Sequence, residues 1–253
     1  MHIDATTALV TGAASGLGAA TAALLAERGA HVIGLDLAAA IDKTDGADGV
    51  HLVAADVTSA ADVQAALDGI PADAPPLRIV INCAGIAPAR RILSSKGIHE
   101  LELFEKTIAV NLVGTFNVLR LAAAVIAEQP AADDDGQRGV IVNTASVAAF
   151  EGQIGQIAYS ASKGGVAGMT VPAARDLARS GIRVNTIAPG IVDTPLLAAL
   201  GPEVNASLAA GVPFPARLAR PDEYAQLVAM IVEHDYLNGE TIRMDGALRM
   251  APQ

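Results

Sequence analysis

The chain has 253 residues, of which 52% are hydrophobic and 17% charged, and its formal net charge is −10. This composition predicts a single domain over residues 1–253 with a large buried core, and the negative charge disfavours nonspecific binding to nucleic acid or to an anionic membrane. One cysteine excludes an intrachain disulfide. No leader peptide is recognisable, and Arg120 interrupts the longest apolar run before it reaches the about 20 residues of a membrane helix. We therefore expect a soluble, cytoplasmic protein whose mature form starts at Met1.

The first predicted strand leads directly into a glycine-rich turn. Residues 7–11 form an apolar run typical of a buried strand, and a helix is predicted at residues 19–28. Between them, Gly12, Gly16 and Gly18 allow the backbone to turn tightly and to approach a pyrophosphate, while N–H groups at the helix start present positive potential to it. The spacing differs from G-x-G-x-x-G, so a purely structural turn is the alternative.

The second predicted strand, residues 31–36, ends in an acid 18 residues after Gly18. A carboxylate at this place is expected to accept a hydrogen bond from a ribose 2′-hydroxyl. It would also repel the 2′-phosphate of NADP, and neither Leu37 nor residues 13–15 supply a compensating cation. Asp36 therefore favours NAD as the cofactor, although an aspartate capping a loop is also common.

Two further strands are predicted at residues 50–57 and 79–81. At the end of the first, Asp56 could accept a hydrogen bond from an adenine amino group beside Val57, or it could cap the helix that begins near Ser59. The second runs into small residues that would let a cofactor lie against the sheet, namely Asn82, Cys83, Ala84 and Gly85. We interpret the cysteine as a packing residue rather than a nucleophile.

A long helix is predicted at residues 101–127, with Asn111 between apolar neighbours. We expect its amide to bond the backbone at a kink and to support a water, and a satisfied core asparagine is the alternative. Four cations lie close to the start of this helix despite the acidic net charge: Arg90, Arg91, Lys96 and Lys106. They could bind the phosphates of a coenzyme A tail, or they could be solvated surface charges.

A hydroxyl, a phenol and an ammonium follow in one stretch of sequence. Ser146 closes the apolar run of residues 140–145, and catalytic groups of open α/β sheets lie at such carboxyl ends. Tyr159 and Lys163 are four residues apart, so on a helix their side chains share one face. A nearby ammonium lowers a phenol's pKa from its ordinary value of about 10, and the positive charge of an oxidised nicotinamide acts in the same direction. These three groups suit proton abstraction from an alcohol during hydride transfer, in which Ser146 would hold the substrate oxygen. The alternative is that the Tyr–Lys spacing, taken alone, has arisen by chance.

The rest of the chain completes this pattern. A strand at residues 183–188 meets Pro189 and Gly190, a turn able to face a nicotinamide. Residues 191–215 lack a clean hydrophobic period, and we interpret them as a mobile lid over an apolar substrate. A helix is predicted at residues 221–233 and a last strand at residues 240–244. No cluster of cysteine, histidine and carboxylates has metal-ligand spacing, so we expect no metal.

These motifs occur together and in order, including T-G-A-A-S-G-L-G at 11–18, N-C-A-G at 82–85, Y-S-A-S-K at 159–163 and P-G-I-V-D-T at 189–194. Over essentially the whole chain they resemble the short-chain dehydrogenase/reductase family. The resemblance implies an α/β fold, a doubly wound Rossmann domain with a seven-stranded parallel sheet and helices on both faces. NAD would bind across the switch point between the first and fourth strands. The family's catalytic tetrad falls on Asn111, Ser146, Tyr159 and Lys163.

A closer resemblance, carried by T-A-S-V-A-A-F-E-G-Q-I-G-Q at 144–156 and L-N-G-E-T-I-R-M-D-G-A at 237–247, is to the type II 3-hydroxyacyl-CoA dehydrogenases. It implies an NAD-dependent homotetramer in which Gln153 helps Ser146 to hold the substrate. Asp193 departs from this pattern, because a small residue is expected beside the nicotinamide pocket. The residues that would contact NAD are Ser15, Leu17, Asp36, Asp56, Val57, Cys83, Tyr159, Lys163, Val192 and Thr194.

This closer resemblance implies interconversion of 3-hydroxyacyl-CoA and 3-oxoacyl-CoA with short or branched acyl chains. Three alternatives stay open from the sequence. The protein could be a hydroxysteroid dehydrogenase, a 3-oxoacyl carrier-protein reductase, or a non-catalytic NAD-sensing scaffold.

Overall fold

A parallel sheet forms the centre of the computed structural model, which describes residues 1–95, 97–198 and 201–252. Its seven strands are β1 (Thr7–Thr11), β2 (His31–Asp36), β3 (Val50–Ala54), β4 (Leu77–Asn82), β7 (Gly139–Thr144), β8 (Ile182–Pro189) and β9 (Thr241–Met244). They lie in the order β3-β2-β1-β4-β7-β8-β9. Two short strands, β5 (Leu93–Ser94) and β6 (Gly97–Ile98), form an antiparallel hairpin that the sequence pattern did not reveal.

Helices cover both faces of this sheet. They are α1 (Gly16–Glu27), α2 (Ala38–Ile41), α3 (Ala60–Asp68), α4 (Leu101–Ile108), α5 (Thr115–Ala127), α6 (Ile157–Leu177), α7 (Pro195–Ala198), α8 (Pro202–Ala210) and α9 (Pro221–Glu233). One buried cluster joins the sheet to α3, α5 and α6, and a second joins it to α1 and α9. Because both faces are covered, the central strands β1, β4, β7 and β8 are buried along their whole length.

The order of the strands reverses beside β1. Its neighbours are β2 on one side and β4 on the other, and both pairs are parallel. A crevice therefore opens at the carboxyl ends of β1 and β4, where open α/β sheets bind their ligands. This confirms the predicted fold class and the predicted position of the switch point.

The helical stretch Leu101–Ala127 has the predicted bounds but is more apolar than the presence of Arg120 led us to expect. It has 27 residues, and an 18-residue window in it has a mean hydropathy of 1.7, so length and composition alone would suit a membrane span. However, α5 packs Val118, Ala122 and Ile126 into the core beneath the sheet. The stretch thus occupies the position of a core helix.

Residues 191–215, interpreted from the sequence as a mobile lid, contain regular helical structure. They include the short helices α7 and α8, and Val192 forms an isolated bridge with Ala219 at their base. Ala199 and Leu200, also within the predicted lid, lie outside the described residues, as does Lys96 of the predicted cation cluster.

Candidate active site

The turn between β1 and α1 requires glycine at three positions. Gly12 and Gly16 have φ values of +70° and +55°. A Cβ added to Gly18 would lie 2.1 Å from the Gly12 carbonyl oxygen, and one added to Gly12 would lie 2.9 Å from the backbone nitrogen of Ala84. The hydroxyl of Ser15, the residue before α1, does not cap this helix. The turn thus brings bare backbone and a helix N-terminus to the switch point, which fits a pyrophosphate.

Asp36 holds its carboxylate beside the same turn. Its Oδ2 accepts from the backbone N–H of Ala14 at 2.9 Å, and its Oδ1 accepts from that of Leu37 at 2.8 Å. The two bonds fix a negative charge at the end of β2, next to the glycine turn. This position fits recognition of a ribose diol, and the charge would oppose a 2′-phosphate.

Asp56 does not cap α3, which was one of its two predicted roles. Its Oδ1 accepts from the backbone N–H and hydroxyl of Thr58 at 2.8 and 2.7 Å, whereas Ser59 caps the helix by accepting from the backbone N–H of Asp62. Val57 is buried, and its carbonyl accepts from the Asn117 amide at 2.9 Å. The role at an adenine therefore stays a prediction for Asp56 and Val57.

The end of β4 lies against the glycine turn through hydrogen bonds to Thr11. Its hydroxyl accepts from the backbone N–H groups of Cys83 and Ala84, both at 3.1 Å. The Asn82 amide instead donates across the sheet to Asn143 Oδ1 at 2.9 Å, so this predicted cofactor residue has its side chain engaged with a neighbouring strand. Burial raises the pKa of the Cys83 thiol, which agrees with a packing role.

Tyr159 and Lys163 lie on one face of α6, as their spacing predicts. The Lys163 ammonium is 5.9 Å from the centroid of the Tyr159 ring. Lys163 is only 4% exposed, and its Nζ donates to the Thr144 carbonyl at 2.7 Å. Burial lowers the pKa of Lys163 from its ordinary value of 10.5 to about 8, because a charged ammonium loses its hydration there.

The phenol of Tyr159 is buried, and the sequence expectation did not include the effect of this burial on its pKa. Burial raises its pKa above the ordinary value, and a hydrogen bond with Ser146 opposes this only in part. An oxidised nicotinamide beside the phenol would add positive charge, which acts in the same direction as the Lys163 ammonium and favours the phenolate.

Ser146 is positioned by the turn that follows β7. It precedes the 3-10 turn Val147–Ala149, and its Oγ accepts from the backbone N–H of Ala148 at 3.1 Å. This bond uses the oxygen as an acceptor, and the hydroxyl proton, which forms the hydrogen bond with Tyr159 here, is the one that would be donated to a substrate oxygen. Ser146 is 8% exposed, which restricts the directions from which a substrate can approach it.

Asn111 lies in a π-helical segment, Ala109–Gly114, between α4 and α5. Its amide accepts from the backbone N–H of Ile86 and donates to the Ile86 carbonyl, both at 2.8 Å, and also donates to the Ser162 hydroxyl at 3.0 Å. Asn111 thus lies at an irregular helix, but the backbone that it bonds is that of Ile86 after β4; its amide is fully buried and satisfied, so the role at a water stays a prediction beside the alternative of a core asparagine. A Cβ on Gly85 would lie 3.2 Å from Asn111 Oδ1 and 3.6 Å from Lys163 Nζ, so the segment after β4 closes over both residues.

Sequence reasoning missed Tyr224, which extends the site into α9. Its hydroxyl lies 2.7 Å from Thr144 Oγ1 and 3.6 Å from Cys83 Sγ, and the side chain is fully buried. Thr144 thus contacts the Tyr224 hydroxyl through its own hydroxyl, and it contacts the Lys163 ammonium through its carbonyl. No sequence signal marks Tyr224, because it falls on the apolar face of an amphipathic helix.

The predicted nicotinamide turn and the lid base lie next to the glycine turn. A Cβ on Gly16 would lie 3.4 Å from Thr194 Cγ2, so this predicted cofactor residue reaches the turn. Val192 is buried, whereas Asp193 is exposed and donates its backbone N–H to Ala219 at 2.8 Å. Gly190 has no room for a side chain, because an added Cβ would lie 2.9 Å from Cα of Asp245.

A cavity of about 560 Å³ adjoins the loop that follows Ser146. Arg90 and Arg91 line it, together with apolar residues of the loop that include Phe150 and Ile154. Arg90 is paired with Glu100 at 2.7 Å, whereas Arg91 is exposed. The structure thus places two of the four predicted cations at one cavity.

Gln153 also lines this cavity, but its amide is already bound. Its Nε2 donates to the Ala251 carbonyl at 3.1 Å. The substrate role predicted for Gln153 therefore competes with a contact inside the chain.

Comparison with known proteins agrees with this geometry. The short chain dehydrogenase family matches residues 6–205. The chain is 53% identical to 3-hydroxyacyl-CoA dehydrogenase type-2 of Bos taurus, covering 97% of this chain and 95% of that protein. It is 54% identical to the protein of the same name from Drosophila melanogaster, with coverages of 96% and 97%.

A solved structure is similar to this chain in both fold and sequence. The crystal structure of 3-hydroxyacyl-CoA dehydrogenase type-2 from Mycobacterium avium superposes with a TM-score of 0.88 at 42% identity, covering 98% of each chain. The similarity to these three proteins extends over nearly the full length of the chain, including the strands and turns that carry the site. The chain therefore belongs to the short-chain dehydrogenase family, and it is an oxidoreductase that acts on a CH–OH group.

Proposed function

We propose that this protein interconverts 3-hydroxyacyl-CoA and 3-oxoacyl-CoA, with short or branched acyl chains, using NAD as the hydride carrier. The observation that carries the proposal is the convergence of Ser146, Tyr159 and Lys163 beside the glycine turn. The names of the similar proteins support the acyl-CoA substrate.

In the oxidative direction, the Tyr159 phenolate takes the proton from the substrate hydroxyl while the adjacent C–H bond breaks. When bound, NAD supplies the acceptor for the hydride and a positive charge that favours the phenolate. The Ser146 hydroxyl donates a hydrogen bond to the substrate oxygen, and the Lys163 ammonium stabilises the phenolate. The side chain of Asn111 holds the segment after β4 against α6, and its support of a proton-relay water stays a prediction.

Tyr159→Phe tests the role of the base. This variant keeps the ring but lacks the ionisable hydroxyl, so NADH binding should be retained while kcat falls by orders of magnitude, at least about 100-fold. NADH affinity measured by fluorescence separates binding from chemistry. A variant with full activity would refute the assignment of Tyr159.

The proposal of NAD rather than NADP rests on the Asp36 carboxylate. Its two backbone hydrogen bonds hold it at the end of β2, where a 2′-phosphate would meet a fixed negative charge. We expect NADH to bind at least tenfold more tightly than NADPH, a difference of about 1.4 kcal/mol. A tenfold preference for NADPH would show that this interpretation of Asp36 is wrong.

The acyl-CoA substrate is supported by the two arginines at the cavity. Arg91 is exposed there, and the apolar residues that also line the cavity suit an acyl or pantetheine chain. The Arg90→Gln/Arg91→Gln variant should raise the KM for acetoacetyl-CoA, and the KM of the parent should rise steeply with salt. Arg28→Gln is the matched control, because Arg28 is paired on the surface with Glu233.

A hydroxysteroid is the second candidate substrate. The apolar wall with Phe150 and Ile154, together with the Leu-rich lid segment, favours a bulky apolar molecule as well. In that case the double arginine variant should leave steroid oxidation unchanged, and steroid turnover should exceed acyl-CoA turnover. A carrier-protein thioester and a catalytically silent scaffold are the other outcomes that the same assays would detect.

We further propose a homotetramer located in the cytoplasm. Large apolar side chains remain exposed on the helical stretch Leu101–Ala127 and on α6, among them Val113, Phe116 and Val171. Such surface is typical of contacts between subunits. Light scattering at micromolar concentration should give the mass of four chains, and the mass of one chain would contradict the proposal. The cytoplasmic location is supported by the single cysteine, and cell fractionation tests it.

A further inference from the structure

The site loop, residues 147–156, is bound to a closing segment, residues 245–252, which follows β9. The backbone N–H of Ile154 donates to the Pro252 carbonyl at 2.9 Å. The Gln153 amide donates to the carbonyl of the preceding residue of the closing segment at 3.1 Å. The loop that connects Ser146 to α6 is therefore held from outside by a segment distant in sequence.

Four charged side chains reinforce this contact. Glu151 of the site loop lies 3.1 Å from a guanidinium nitrogen of Arg243 and 3.3 Å from one of Arg249. Asp245 lies 2.7 and 3.2 Å from the same two groups. Two positive and two negative charges thus alternate around a closed quartet, and Arg243 also lies 5.6 Å from the ring centroid of Phe150. The side chains of Glu151 and Asp245 are 28% and 9% exposed, so salt screens them less than a fully exposed pair.

The site loop depends on such support because of its own sequence. It contains Gly152 and Gly155, and the latter has a φ of +90°. Glycines leave a loop many accessible conformations, and the entropy of these conformations opposes a single position. The loop residues Ala149, Phe150 and Gln153 line the 560 Å³ cavity, so the position of the loop sets the shape of this cavity, which the proposed function assigns to the substrate.

We propose that the charge quartet positions the site loop for substrate binding, and that Glu151 and Arg249 are its positioning residues. The inference rests on the proposed function only for the substrate used in the assay. The direction in which Glu151→Gln changes KM distinguishes two possible roles of Glu151. Removal of a negative charge near an anionic acyl-CoA would lower KM if Glu151 acted through its charge alone. If Glu151 acts by holding the loop, KM rises.

The test compares Glu151→Gln, Arg249→Gln and the double variant. With acetoacetyl-CoA and saturating NADH, each single variant should raise KM by about fivefold while kcat stays within about twofold. The double variant should raise KM no further than the more severe single variant, because both substitutions break the same contact. Arg249→Lys, which keeps the positive charge, should recover part of the loss. Amide hydrogen exchange should be faster across residues 150–156 in Glu151→Gln and unchanged in β7.

Glu233→Gln is the matched control, because Glu233 is an exposed glutamate in an ion pair with Arg28 at 3.1 Å, remote from the cavity. It should leave both KM and the exchange of the site loop unchanged. A KM that is unchanged or lowered in Glu151→Gln, together with parental exchange in the site loop, would overturn the proposal. If another substrate proves correct, the hydrogen-exchange comparison still decides whether the quartet holds the loop.

Discussion

Replacement of Lys163 by methionine should stabilise the folded chain at pH 7 while it abolishes activity. Burial lowers the pKa of this lysine from 10.5 to about 8. At 1.36 kcal/mol per pKa unit, the charged ammonium destabilises the folded state by about 3 kcal/mol. Methionine removes this penalty but leaves the Thr144 carbonyl without its 2.7 Å hydrogen bond, which costs about 1–2 kcal/mol. The net gain at pH 7 is therefore about 1–2 kcal/mol.

The sign of the effect reverses with pH. The folded pKa of Lys163 lies below the unfolded value, so between pH 8 and 10.5 the unfolded chain binds more protons. The stability of the parent thus rises with pH in this window, and the penalty is fully present below pH 8. The advantage of Lys163→Met should shrink by about 3 kcal/mol from pH 7 to pH 10.5 and become a disadvantage.

Urea unfolding without cofactor, at one protein concentration and at several pH values from 7 to 10.5, measures this difference. Lys163→Gln is a useful companion, because it is also uncharged but keeps a donor near Thr144. A Lys163→Met variant that is less stable than the parent at pH 7, or a difference that does not change with pH, would refute the reasoning about the buried charge.

Three further predictions follow from single contacts. Gly18→Ala places a Cβ 2.1 Å from the Gly12 carbonyl oxygen, so the glycine turn must shift. The affinity for NADH, measured by titration, should therefore fall at least about tenfold. An affinity equal to that of the parent would contradict the prediction that this turn binds the pyrophosphate. Tyr224→Phe leaves the buried Thr144 hydroxyl without its hydrogen-bond partner at 2.7 Å. The free energy of unfolding, measured in urea, should therefore fall by about 1–3 kcal/mol. An unchanged midpoint of urea unfolding would show that this contact does not stabilise the fold. Asp36→Ala should narrow the gap between NADH and NADPH affinities to less than about tenfold, and an unchanged gap would show that another residue selects the cofactor.

Local patterns in the sequence predicted much of the fold and the reacting groups. The apolar residues of β1 and β2 are bounded by polar or turn residues, so both strands were predicted with the bounds that the structure has. The spacing of Tyr159 and Lys163 predicted a shared helical face, since that relation depends only on the helical period.

Relations that depend on tertiary structure could not be predicted in this way. The partners of Asn111 are Ile86 and Ser162, which are distant in sequence, and no local pattern specifies them. The effect of burial on the Tyr159 pKa was missed, because the spacing reveals a nearby ammonium but not the burial of the phenol. The contact of Gln153 with the closing segment was missed for the same reason, since it joins residues 98 positions apart.

The central claim is oxidation and reduction of acyl-CoA substrates with NAD(H), and one substrate panel tests it most directly. The panel compares kcat/KM for acetoacetyl-CoA, longer 3-oxoacyl-CoA thioesters and hydroxysteroids, each with NAD(H). We expect a short or branched acyl-CoA to be favoured over every steroid by at least about tenfold, or 1.4 kcal/mol. A steroid that equals or exceeds the best acyl-CoA would contradict the account.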